Sequence, residues 1–139
     1  SGYSESAVDY VVRRAGLCKE PVHVHLLNVQ LPLGGVNVKL FIKPESVESY
    51  YRDEGMAVLQ KPRGVLGAAG IRCDHHIGVG DPAQVIIDYA QANNCDEIVM
   101  GTHGRGALGG AVMGSVARNV IHQSSRPVVL VKSESVSGK

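Results

Sequence analysis

The chain has 139 residues, 44% of them hydrophobic and 19% charged, with a formal net charge of +1. That length suits one domain with a real core, and the near-neutral charge excludes a large field drawing the protein to nucleic acid or anionic lipid. Five Tyr, one Phe and no Trp offer little for RNA recognition by stacking, Tyr50 and Tyr51 forming the one aromatic cluster. No apolar run approaches the ~20 residues of a membrane helix, and no signal peptide opens the chain. Cys18, Cys73 and Cys95 show no Cys-x-x-Cys spacing, which suits small buried hydrophobes in a reducing, cytoplasmic setting.

Over residues 4–17, Ala7, Val8, Val11, Val12 and Ala15 recur at helical spacing, with Ser4 as N-cap and Glu5 at the positive helix end. Residues 21–29, rich in β-branched side chains and bounded by Pro21 and Pro32, read as a buried strand. A loop with Leu33, Gly34 and Gly35 follows, including a short extended piece over residues 36–42. Pro44, Glu45 and Ser46 open a second helix over residues 47–60. Pro62 should kink or break it, with a shorter helical segment reaching residue 69. Residues 71–79 alternate as a strand that places Ile71, Cys73, His75, Ile77 and Val79 on one face. Asp81 as N-cap acid, Pro82 at the first helical position and Gln84 at the capping-box position start a third helix. It carries Val85, Ile86, Tyr89 and Ala90 and ends at Asn93 and Asn94. A strand over residues 97–100, a fourth helix to residue 123, a last strand over residues 128–131 and a polar tail over residues 133–139 follow.

Helices alternating with short apolar strands imply an α/β, doubly wound, Rossmann-like parallel sheet covered on both faces. Its ligands sit beyond the carboxyl ends of the strands. The pattern begins with a helix, whereas such a sheet normally begins with a strand, often its central one. Lacking that strand, two rows of buried backbone groups would be unpaired. The natural polypeptide is therefore expected to extend further upstream, with residues 1–139 as one N-terminally incomplete domain.

The segment from Gly101 to Ser115 joins a strand to a helix through glycines, the usual way a backbone wraps a phosphate. Gly104, Gly106 and Gly109 match the dinucleotide fingerprint but lie in the last unit, without the acid expected ~20 residues on. Gly109, Gly114 and Ser115 imitate a P-loop with Ser115 where the lysine should be. A third spacing, G-x2-G-x9-G-S, is fitted at every position by Gly101, Gly104, Gly114 and Ser115.

With that spacing, the run over residues 96–106, the triplet Gly80, Asp81 and Pro82, and the closing run over residues 125–131, the chain resembles the universal stress protein family. Its ATP-binding members carry this motif. The resemblance implies a five-stranded parallel sheet of order 3-2-1-4-5, its first strand, with an Asp at its end, absent from this sequence. It further implies a homodimer through the last strand, residues 127–132, whose apolar edge would otherwise invite aggregation. Carried over residue by residue, Gly101 and Gly104 would line the ribose and phosphates. Gly114 and Ser115 would grip the phosphates, Ser115 with both N–H and hydroxyl, and Val116 would add an N–H. Val29 would meet adenine through its backbone, Met100 would pack near adenine or ribose, and His103 and Arg105 would flank the loop. Ala117 stands where some ATP-binding members have a hydroxyl residue.

The function so implied is an adenine-nucleotide (ATP)-binding stress-response or signalling module. Hydrolysis would be slow or absent, because no P-loop lysine, Mg²⁺-ligand pair or general base is evident. Mg²⁺ could be held by the phosphates with Ser115 and waters. The alternative is a dimeric interaction protein of the same fold that binds no nucleotide; a third reading is a true ATPase using His103.

His23 and His25 lie two apart on one strand face, and Cys73 and His75 repeat the geometry on another strand. Without a third convergent ligand, packed or surface histidines are favoured over a metal site. His75 and His76 point to opposite faces. His122 complements a helix C-terminus, and Glu45, Glu48, Asp53 and Glu54 read as a solvated helix face.

Overall fold

The structure, a computed structural model, describes residues 2–33, 44–102 and 113–132. In chain order these form α1 (Gly2–Leu17), β1 (His23–Gln30), α2 (Pro44–Ala68), β2 (Arg72–Val79), α3 (Pro82–Ala92), β3 (Ile98–Gly101), α4 (Ser115–Gln123) and β4 (Val128–Val131). The extended piece expected over residues 36–42 and the polar tail lie outside the described residues.

The strands form two parallel pairs. β1 runs beside β2 from His23 opposite Arg72 to Gln30 opposite Val79. β3 runs beside β4 from Ile98 opposite Val128 to Gly101 opposite Val131. Parallel neighbours cannot be joined by a tight turn and need a crossover. The chain from β1 to β2 passes through α2, and the chain from β3 to β4 passes through α4. α2 packs on both strands of the first pair and α1 on both of the second, while α3 touches β1, β2 and α4. Ala83 and Ala90 of α3, Ile98 of β3 and Val120 of α4 form a buried cluster, against which Ile86, Cys95, Met100, Val116 and Val128 pack.

The third helix starts as the sequence indicates. Asp81 is in an extended conformation and its carboxylate accepts the Gln84 N–H at 3.1 Å, with Pro82 at the helix start. Only half of a capping box forms, because the Gln84 side chain donates forward to Asp88 at 2.8 Å. The first helix begins at Gly2, so Ser4 lies within its first turn and is not the cap.

Pro62 does not end α2, which runs unbroken through it for 25 residues. A proline in a helix interior costs about 3 kcal/mol. Leu59 and Leu66 are both buried and lie on either side of it. At about 1.5–3 kcal/mol for each fully buried side chain, that anchoring outweighs the break. The helix stops instead at Gly70, whose φ of +73° is left-handed, with the Gly70 N–H on the Gly67 C=O and the Ile71 N–H on the Leu66 C=O. Such a left-handed residue after the last turn satisfies carbonyls the helix leaves open.

Two glycines set how closely helices approach β2. A Cβ on Gly55 of α2 would lie 2.7 Å from Ile77 Cδ1 and Cγ1, and one on Gly78 would lie 2.6 Å from Val85 Cγ1. The alternating face of residues 71–79 is covered only in part: Cys73 and Ile77 are half-buried, His75 and Val79 exposed. Glu45, Glu48, Asp53 and Glu54 are all exposed, as a solvated face requires. Cys18 departs from its expected burial and is exposed, whereas Cys73 and Cys95 are half-buried.

Gly55→Ala should therefore destabilise the protein by about 1–3 kcal/mol through overpacking, read as a lower denaturant midpoint. Combined with Ile77→Ala, it should lose less than the sum of the two single changes. Burial pushes the Cys95 thiol above its ordinary range, with Asp96 adding to the rise and Arg126 opposing it. The folded state thus holds that proton longer than the unfolded chain, so its contribution is complete below the unfolded pKa and declines as pH rises above it. In limited alkylation followed by mass spectrometry, Cys18 should be labelled before Cys95 at mildly alkaline pH, and unfolding should abolish the difference.

Candidate functional site

The carboxyl end of β3 hands the chain from Gly101 to Thr102, whose N–H donates to the Val131 C=O at 3.3 Å. The Thr102 C=O in turn accepts the Gly114 N–H at 2.7 Å. Both ends of the glycine-rich segment are thereby brought side by side. His103, Gly104 and Arg105 lie outside the described residues.

Gly114 is the N-cap of α4, with φ −66° and ψ 158° and no side chain to bond the helix start. Its C=O accepts the Arg118 N–H at 3.1 Å, the first bond of the helix. The N–H groups of Ser115, Val116 and Ala117 consequently have no acceptor within the helix. They add to the positive end of the α4 dipole. Because the Gly114 N–H is already given to Thr102, what Gly114 can offer a ligand is the space left by a missing Cβ. The donors are the three residues after it.

Each of those three is positioned differently. Ser115, the first residue of the helix, is exposed. Val116 packs its side chain against the core cluster, which fixes the turn that carries its N–H. Ala117 is 3% exposed, so its methyl is a packing residue. Met100 also packs against the core cluster. Val29 lies one residue from the carboxyl end of β1, opposite Gly78 in the other strand pair. Of the expected residues, Gly101, Gly114, Ser115 and Val116 converge at one edge, and Met100 and Val29 lie behind it and in the neighbouring pair.

One residue at this edge was not anticipated. Arg118 is exposed and its guanidinium Nη2 donates to the Met113 C=O at 3.1 Å, folding a cation back over the helix start. Its position three residues after Ser115 puts it one helical turn on, on the same face. That spacing was the available signal. Amides, hydroxyls and one guanidinium are groups of the kind that can hold an anion. Gly101, Thr102, Gly114, Ser115 and Val116 supply neither carboxylate nor imidazole to move a proton. His122 is in the last turn of α4, at the opposite pole of the helix.

The sequence profile of the universal stress protein family matches residues 1–132. Universal stress protein MJ0531 of Methanocaldococcus jannaschii is 33% identical over 88 residues, 63% of this chain and 52% of that protein, so the chain matches about half of that relative's length. The solved structure of MJ0577, first described as a hypothetical protein, superposes with a TM-score of 0.83 at 27% identity, covering 97% of this chain and 91% of that one; MJ0577 is also a universal stress protein of M. jannaschii. The universal stress protein of Archaeoglobus fulgidus in complex with dAMP superposes with a TM-score of 0.61 at 25% identity, covering 95% and 90%.

The backbone angles of Gly114 are open to any residue and are those of a capped helix start. Gly114→Ser should therefore supply the missing side-chain cap and raise stability by a few tenths of a kcal/mol, read as an upward shift of the thermal midpoint.

Proposed function

The chain belongs to the universal stress protein family, and on that premise we propose that it binds an adenine nucleotide at the carboxyl edge of β3 and β4. The observation that carries this reading is the Thr102–Gly114 hydrogen bond beside the unsatisfied first turn of α4. That first turn has three amides without helical partners beside the Ser115 hydroxyl, the kinds of donor a phosphate requires. The dAMP complex of the A. fulgidus relative supports the choice of adenine as base.

In this reading the phosphates of ATP or a related nucleotide rest on the N–H groups of Ser115, Val116 and Ala117 and on the Ser115 hydroxyl. Gly101 and Gly104 line the ribose side, and His103, Arg105 and Arg118 supply flanking donors. Val29 meets the base through its backbone, and Met100 backs the ribose. Mg²⁺, when it accompanies the nucleotide, is held by the phosphates, Ser115 and water. Hydrolysis is slow or absent and binding acts as a signal in a cytoplasmic stress response. The two strand pairs are the outer pairs of a five-stranded sheet of order 3-2-1-4-5, with a slot for one strand between β1 and β3. The last strand, residues 127–132, pairs with a second copy. The parallel pairing within each half and the small apolar β4 support that arrangement.

Isothermal titration of the protein with ATP tests the central claim, and no heat at millimolar ATP would sink it. Gly114→Val should abolish binding while leaving the circular dichroism spectrum unchanged, and retained binding would move the site elsewhere. Gly114→Ser should lose affinity even as it gains stability. Arg118→Ala should weaken ATP about tenfold, the value of one charge-assisted hydrogen bond.

A further inference from the structure

At the other end of β1 and β2, the alternation of a parallel pair gathers side chains of a different chemistry. His23 and His25 project from the same face of β1. The register sets His23 opposite Arg72 and His25 opposite Asp74, so Asp74 joins the two histidines on that face. One nitrogen from each imidazole and one Asp74 carboxylate oxygen lie within 4.8 Å of one another. His23 Nε2 and Asp74 Oδ2 are 2.7 Å apart and share a proton, and the two imidazole centroids are 4.4 Å apart.

A supporting group holds one of these rings. His25 Nδ1 is hydrogen-bonded to the Tyr89 hydroxyl of α3 at 2.8 Å. Tyr89 is itself stacked on His76 of β2, with centroids 5.0 Å apart and planes 22° from parallel. Tyr89 is thus fixed from two sides. When Nδ1–H donates to the phenol oxygen, Nε2 of His25 is the nitrogen with a lone pair to offer. Metal-binding histidines typically have their other ring nitrogen fixed by such a partner.

We propose that His23, His25 and Asp74 form a site for a single divalent cation of the zinc class, with Tyr89 as its positioning residue. Two imidazoles and one carboxylate suit Zn²⁺ and its neighbours in the first transition row, and poorly suit Ca²⁺ or Mg²⁺. Three protein ligands leave the fourth tetrahedral position to water. Ligand bonds of about 2.0–2.1 Å place tetrahedral ligand atoms about 3.3 Å apart. The His23–Asp74 pair, at 2.7 Å, need therefore open by about 0.6 Å as the cation replaces the shared proton. Both side chains are free enough to do so, His23 being 33% and Asp74 58% exposed. Arg72 lies opposite His23 and is exposed, so its charge is screened by solvent. Four residues separate His25 from Val29 and six separate His23 from it; at about 3.3 Å each, the site lies about 13–20 Å along the strand from the proposed nucleotide edge. The two sites are chemically and spatially separate, and this one does not rest on nucleotide binding.

The test is titration of metal-stripped protein with zinc chloride in a non-chelating buffer. One equivalent should bind, and His23→Gln or Asp74→Asn should weaken binding by more than about 100-fold, beyond the about 10–100-fold of a lost supporting partner. Tyr89→Phe should weaken it about tenfold. Cobalt should give the visible bands of a four-coordinate nitrogen and oxygen site, with no thiolate charge-transfer band. Unaltered zinc affinity in His23→Gln, no binding at micromolar zinc, or a thiolate band from Cys18, Cys73 or Cys95 would each overturn the proposal. Should His23→Gln fail to fold by circular dichroism, the exposed Asp74→Asn and the wild-type cobalt spectrum still decide it.

Discussion

The structure depends on the pairing of parallel strands. Each strand of β1–β2 and β3–β4 runs in the same direction as its neighbour, so the chain must return across the sheet between them. That return gives the helices their places: α2 lies against the first pair and α4 against β4. Because every strand points the same way, all carboxyl ends within a pair emerge together. Gly101, Thr102 and the start of α4 are consequently placed at one edge, and the amino-terminal side chains of β1 and β2 at the other.

Close packing then fixes the distances. Gly55 lets α2 come down onto Ile77, and Gly78 lets Val85 of α3 come down onto β2. The same descent of α3 carries Tyr89 onto His25 and His76. A core contact and a polar arrangement are in this way consequences of one helix position. The Ala83, Ala90, Ile98 and Val120 cluster likewise joins α3, β3 and α4, and it holds the first turn of α4 where its amides open outward.

Sequence alone made local signals legible and left long-range ones hidden. The Asp81-Pro82 helix start, the strand at residues 128–131 and the end of the fourth helix at Gln123 all depend on neighbours in the chain, and all are found where expected. Pro62 misled because the local cost of a proline is visible in sequence, whereas the burial of Leu59 and Leu66 that offsets it is tertiary. The His23 and His25 pair was visible, but its third partner, Asp74, is 49 residues away from His25 and enters only through strand register. Arg118 was hidden for a similar reason: its fold back to the Met113 carbonyl is a matter of helix geometry. Spacing singles out Gly101, Gly104, Gly114 and Ser115 as candidates, but it does not say which backbone groups among them are already bonded. The Gly114 amide is occupied by Thr102, and no motif records that.

That single bond between Thr102 and Gly114 also separates two kinds of change in this chain. It closes the intervening stretch at its base, on a strand and a helix already held by the core. The entropy of closing a loop rises by only about 0.6 kcal/mol for each doubling of its length. A change in length between the two anchors therefore costs little in closure entropy. A lineage can vary the spacing between these two anchors at little entropic cost, because the core already sets the strand and the helix that carry them.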